Sequence, residues 1–109
     1  MAGTFELKRS RDQFMWNLKA GNGKVVLTSE RYKTKRSAEN GIASVRKNCR
    51  SDSCYDRRKA KNGKPCFSMV AKNGEIIGMS QMYASTSGRE AGIRSVKANA
   101  GRAKINDIT

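Results

Sequence analysis

The sequence has no histidine, one proline, three cysteines and nine acidic residues, set against 23 lysines and arginines. Without histidine there is no Ser-His-Asp or Cys-His arrangement, and a cysteine nucleophile would need another base such as lysine. Cys49, Cys54 and Cys66 form an odd set without Cys-x-x-Cys spacing and lack the histidine that would complete a zinc site, so neither a metal nor a cofactor is expected. Arg57 and Arg58 follow Cys54 in the chain and would stabilise a thiolate, but inert, buried thiols account for the cysteines more simply. The acids are too few and too scattered to suggest a carboxylate pair. No apolar run approaches the roughly eighteen residues a membrane helix requires, and the N-terminus shows no signal-peptide stretch, so a soluble protein of the cytoplasm is expected. Gly21-Asn22-Gly23-Lys24 superficially resembles a phosphate loop, yet it lacks the longer glycine spacing and the Ser or Thr after lysine, and it precedes a strand pattern. Taken together, these absences exclude most routes to an enzyme.

What the chain does have is a duplication. Gly23 and Gly74 stand 51 residues apart, and at that offset Asn22 meets Asn73, Ser29 meets Ser80, Tyr32 meets Tyr83 and Glu39 meets Glu90. Gly41-Ile42 then meets Gly92-Ile93, Ser44-Val45 meets Ser95-Val96, and Asn48 meets Asn99. The 109 residues, 37% of them hydrophobic, bury one core and not two. A single domain built of two repeats, 1–51 and 52–109, is therefore expected.

Each copy reads as strands followed by a helix. Phe14, Trp16 and Leu18 alternate with Gln13, Met15, Asn17 and Lys19, the period of a strand with one buried face. Phe67 and Met69 repeat Trp16 and Leu18 in the second copy. Asn22-Gly23, Asn62-Gly63 and Asn73-Gly74 supply turn chemistry, predicting two-residue hairpins with a left-handed backbone pair. Arg11-Asp12 takes that place between the first two strands. Asn40-Gly41 also looks like a turn, but it falls within Ala38, Ile42, Val45 and Cys49, one face of a helix, and its counterpart is Ala91-Gly92. Thr34 or Ser37, and Ser85 or Ser87, are candidate helix caps. Gly41 and Gly92 at equivalent helical points predict close approach of helix to sheet. Extended text returns at Cys54 to Lys61 and at Ala103 to Ile108.

The predicted fold is α+β: two tandem β-β-β-α repeats form one antiparallel sheet with both helices on one face. The middle strand ends one unit while starting the next, and a short C-terminal strand closes the pseudo-twofold unit.

The Asn-Gly hairpin, the Ser-x-x-Tyr of Ser29 to Tyr32 and Ser80 to Tyr83, and the doubled Gly-Ile-x-Ser-Val-x-x-Asn at Gly41 to Asn48 and Gly92 to Asn99 resemble the bacterial YegP-like family. The resemblance covers nearly the whole chain. It implies a sheet of meanders and helices with exchanged C-terminal strands, in tandem repeats or paired single units, and brings no established activity, catalytic residue or cofactor. This sequence departs from the pattern in its arginine density and in Gly88-Arg89 early in the second helix.

A net charge of +14 attracts polyanions. The cations crowd at Arg31, Lys33, Lys35 and Arg36 before the first helix and at Arg57, Arg58, Lys59, Lys61 and Lys64 along the central strand and turn. These nine are the candidate nucleic-acid contacts, since phosphate binding needs only flexible cations. Trp16 matches Phe67 and Tyr32 matches Tyr83, which assigns those aromatics to the scaffold and leaves no stacking platform for base recognition. The expected function is weak, sequence-tolerant binding of RNA or DNA by a monomer. The alternative is contact with another protein through an edge or face of the sheet.

Overall fold

The strand alternation read from Phe14, Trp16 and Leu18 is realised in a computed structural model that describes residues 3–109. The elements run β1 (Thr4–Ser10), β2 (Gln13–Lys19), β3 (Val25–Ser29), α1 (Lys35–Asn48), β4 (Tyr55–Lys59), β5 (Pro65–Val70), β6 (Ile76–Met79), α2 (Thr86–Asn99) and β7 (Lys104–Asp107). Asp52–Cys54 form a single helical turn that leads from α1 into β4. All seven strands join one sheet in the order β4-β5-β6-β3-β2-β1-β7. The register pairs Phe5 with Leu18, Leu7 with Trp16, and Leu18 with Leu27, while Met69 pairs with Gly78. These apolar residues share one face of the sheet, and the buried face of α1 (Ala38, Ile42, Val45) and of α2 (Ile93, Val96) closes over it. Phe5 meets Trp16 edge-on with ring centroids 5.4 Å apart, and Tyr83 stacks on Phe67 at 6.3 Å.

The α+β class, the two helices on one face and the repeat stand. Three details differ from the sequence reading. First, the copies are knitted by β3 pairing antiparallel with β6, through Thr28 with Met79 and Ser29 with Gly78, whereas β4 pairs only with β5. The strand that follows α1 belongs wholly to the second meander, because the Asp52–Cys54 turn delivers it straight to β5. Second, the sheet is mixed: β7 runs parallel to β1, with Ile105 beside Phe5. The helix α2 lies between β6 and β7 and carries the chain from the middle of the sheet to its far edge, where β7 enters running opposite to β6 and therefore in the sense of β1.

Third, the three Asn-Gly loops are not two-residue turns. In each of them only the glycine has positive φ: Gly23 at 84°, Gly63 at 83° and Gly74 at 87°. Ala20 N–H bonds the Lys24 carbonyl and Gly23 N–H bonds the Ala20 carbonyl, at 2.9 Å each. That is a type I turn followed by a left-handed glycine, which needs one residue of positive φ and not two. The Asn22 side chain accepts from the Lys24 N–H at 3.0 Å, and Asn62 and Asn73 repeat the contact with Lys64 and Glu75. The two-residue connection is Arg11-Asp12, where Arg11 holds φ at 60° without being glycine. Because this loop is shorter than the one at Asn62-Gly63, the 51-residue offset slips in the first strand of each copy. Phe5 and Tyr55 both face the matched pair Leu18 and Met69, so Tyr55 holds the place of Phe5, and Arg57 that of Leu7.

Thr34 and Ser85 cap the helices, accepting from Ser37 N–H and Gly88 N–H at 3.1 Å each. Asn40-Gly41 lies inside α1, as the repeat required. Gly41 has a specific neighbour: a methyl group there would stand 2.5 Å from the Tyr32 hydroxyl and 3.1 Å from the Trp16 indole nitrogen. The close approach predicted for the two glycines is made by the duplicated tyrosines, since Gly92 meets the Tyr83 hydroxyl in the same way. Neither helix is long and apolar enough to cross a membrane.

Candidate nucleic-acid interface

Strand direction separates the nine candidate cations into two groups. Because β2 runs antiparallel to both β1 and β3, the tip of the β1–β2 hairpin and the exit from β3 share one end of the sheet. Two backbone bonds between Phe14 and Tyr32, 2.8 and 2.7 Å, pin the exit segment there. Arg31 and Lys33 flank Tyr32 and are exposed; Lys35 and Arg36 follow in the first turn of α1. Since β6 is antiparallel to β3, its exit and the β4–β5 loop lie at the opposite end, where Tyr83 N–H bonds the Pro65 carbonyl at 2.8 Å. Lys59, Lys61 and Lys64 belong to that end. The nine residues therefore do not form one surface.

Ion pairing divides them again. Arg57 donates to both oxygens of Glu90 at 3.0 Å and to Asp52 at 3.1 Å. Lys97 and Arg57 together hold the Asp52 carboxyl down at about 2. Arg58 pairs with Asp56 at 2.7 Å, and Lys35 with Asp107 at 2.5 Å. Among the described residues, Arg31, Lys33, Arg36, Lys59, Lys61 and Lys64 have no carboxylate within ion-pair reach.

The end formed by the first copy is richer than the sequence indicated. Arg11 sits in the hairpin loop, and Arg9 lies just before it with its guanidinium over the Phe14 ring at 5.1 Å. Both escape a reading that looks for runs of charge, although the Arg11-Asp12 turn already placed them beside the exit of β3. The α1 N-terminus has no acidic residue in its first turn. Lys35 and Arg36 stand there against the positive end of the helix dipole, an arrangement that a bound anion relieves. The second copy has Met82, Ala84, Thr86 and Ser87 at the places of Arg31, Lys33, Lys35 and Arg36. Beside this end lies a cleft of about 610 Å³ lined by Glu30, Tyr32, Asn40, Asn73 and Glu75, among others. Its two carboxylates oppose a polyanion and bound the basic area on that side.

Trp16 and Phe67 are fully buried, and Tyr32 and Tyr83 are half-buried against the core. Cys49 and Cys54 are buried and Cys66 half-buried, all as free thiols. No group of three metal-ligating side chains occurs among the described residues.

Comparison with known proteins gives the lineage. A family model described as a domain of unknown function, DUF1508, matches residues 10–56 and again residues 60–107. The chain belongs to the DUF1508 family. Curated DUF1508 relatives include the UPF0339 protein YegP of Escherichia coli K12, 54% identical over 110 residues with both chains fully covered. A UPF0339 protein of Acinetobacter baylyi is 52% identical over 110 residues, covering 100% of this chain and 99% of its own. Two solution NMR structures share the fold. A UPF0339 protein from Shewanella oneidensis has a TM-score of 0.94 at 49% identity, covering 100% of this chain and 93% of its own. A protein of unknown function, yegP from E. coli, has a TM-score of 0.94 at 54% identity, covering 100% and 95%.

Proposed function

We propose that this chain is a nonenzymatic, monomeric protein of the cytoplasm that holds an RNA or DNA backbone weakly and without sequence choice. The observation that carries the reading is the basic end of the first copy. Arg9, Arg11, Arg31, Lys33 and Arg36, none of them ion-paired among the described residues, come from three segments near the α1 N-terminus, whose first turn carries no acidic residue and where Asp107 is taken up by Lys35. Phosphate oxygens suit such a set, while the burial of Trp16 and Phe67 removes the stacking that base selection uses. The cations of the second copy add to the long-range field that steers a polyanion in.

Fluorescence anisotropy of labelled single-stranded and duplex oligonucleotides, with heparin as a polyanion control, tests this. Binding is expected to fall steeply with salt and to differ little between sequences. The triple variant Arg31→Glu, Lys33→Glu, Arg36→Glu should lower the salt slope by about two to three, near one for each phosphate no longer neutralised. No binding at low salt, or unchanged binding by the triple variant, rejects the reading.

A further inference from the structure

The two outer edges of the sheet are finished differently. On β1 lies β7, with Lys104 N–H on the Gly3 carbonyl at 3.2 Å and Ile108 N–H on the Leu7 carbonyl at 2.9 Å. In the second copy β4 takes the place of β1, and no strand of the described residues covers its outer edge. The bond from Ala60 N–H to the Lys64 carbonyl fixes which way the β4 main chain points. Ala60, Arg58 and Asp56 turn towards β5, so Tyr55, Arg57 and Lys59 turn outward. Tyr55 N–H is taken by the Asp52 carbonyl. The Tyr55 carbonyl and both main-chain groups of Arg57 and Lys59 remain as a template for another strand.

The side chains select what can use it. A second copy would bring to this edge the same unpaired Lys59, Lys61 and Lys64 and no unpaired carboxylate of β4 to meet them, so like charge disfavours pairing β4 with β4. Along the edge the charge is uneven. Arg57 is neutralised by Asp52 and Glu90 and Arg58 by Asp56, while Lys59, Lys61 and Lys64 are not. The start of the edge beside Tyr55 is thus electrically quiet and its end is basic. The covered edge supplies the pattern of an occupant: Ile105 beside Phe5, whose place Tyr55 holds, and an acid, Asp107, two residues later. We propose that the outer edge of β4 receives, in parallel, an extended segment of another protein that is apolar at its start and acidic at its end, a counterpart of β7 supplied in trans. This is independent of the nucleic-acid reading, which rests on the opposite end of the sheet.

The test uses the intact chain and the synthetic peptide acetyl-TVTITEEE-amide, followed by anisotropy and by NMR amide exchange. Saturable binding is expected, with slowed exchange at the Arg57 and Lys59 amides. A nitroxide on the peptide N-terminus should broaden Tyr55 and spare Lys61. Acetyl-TVTITKKK-amide should bind at least about tenfold more weakly. N-methylation of one alternating set of peptide amides should cost about tenfold or more, and of the other set nothing, because only one side of a strand bonds the edge. Lys59→Pro removes an outward N–H and leaves the bonds to β5, so it should weaken the peptide at least about tenfold, whereas Lys59→Gln, which keeps the N–H and loses only the charge, should weaken it less. The inference is overturned if Arg57 and Lys59 exchange unchanged, if both N-methylated peptides bind alike, or if sedimentation shows a dimer with those amides already protected. An oligonucleotide that shifts the amides of Arg31 to Arg36 reports on the other reading separately.

Discussion

A single missing carbon governs the seat of each helix. Replacing glycine by alanine inside a helix ordinarily adds about 1 kcal/mol of stability. At Gly41 the added methyl would stand 2.5 Å from the Tyr32 hydroxyl and 3.0 Å from the ring carbon that bears it. The sign therefore reverses: Gly41→Ala should cost about 1–3 kcal/mol through overpacking. Tyr32→Phe in the same chain removes the nearer atom and should recover part of that loss, so urea unfolding of the two single variants and the double measures the coupling directly. Gly41 and Tyr32 were separately visible in the sequence as duplicated positions, and close approach was inferable from a glycine inside a helical face. Their contact was not, because nothing in the spacing tells which side chain enters the gap. Arg11 shows the opposite case: the sequence marks Arg11-Asp12 as the turn, but nothing in a charged residue signals the positive φ of 60° that it holds there, a conformation suited to glycine.

Among the elements, the junction of β3 with β6 is where a duplicated sequence must stop being symmetric. The pair Thr28 with Met79 lies on the pseudo-twofold axis, so the matched residues Leu27 and Gly78 come close to each other across it. A methyl group at Gly78 would meet Leu27 Cγ at 2.9 Å. One leucine fills the space that two equivalent positions share. Gly78→Leu alone should destabilise by about 3 kcal/mol or more, while Leu27→Gly combined with Gly78→Leu should be milder than the sum of its parts. Chemical denaturation of the four chains in that cycle decides it. The hairpins and helices were legible because each is encoded within a few neighbouring residues, as in the alternation of Phe14, Trp16 and Leu18. The pairing of β3 with β6 and the parallel sense of β7 were not, because they follow from how distant segments share one sheet. The separation of Arg31–Arg36 from Lys59–Lys64 is a product of that topology.

For the whole molecule, charge sets the behaviour in acid. The nine carboxylates offset part of 23 cations, and protonating them leaves the positive charge unopposed. Two carboxyls lie at about 2, below their ordinary 3.8: Asp52, held by Lys97 and Arg57, and Asp107, held first by Lys35 and then by Thr109. A carboxyl depressed on folding contributes stability above its ordinary range and loses it as pH falls through the folded value. Melting temperature should therefore drop between about pH 4 and pH 2. The Asp107 carboxyl, followed by NMR, should titrate near 2 and return towards 3.8 in Lys35→Met. The last strand is tied to the first helix by this pair, and Arg46 of α1 also donates to the Ala103 carbonyl.

That tie has a consequence for synthesis. Strand β1 leaves the ribosome nearly the whole chain before β7, its partner on the outer side. At about 5–20 residues per second, β1 waits roughly 5–20 s with an open edge. During that interval both outer edges of the nascent sheet are open, and the like charge near the first hairpin and at the end of β4 disfavours pairing between two growing chains.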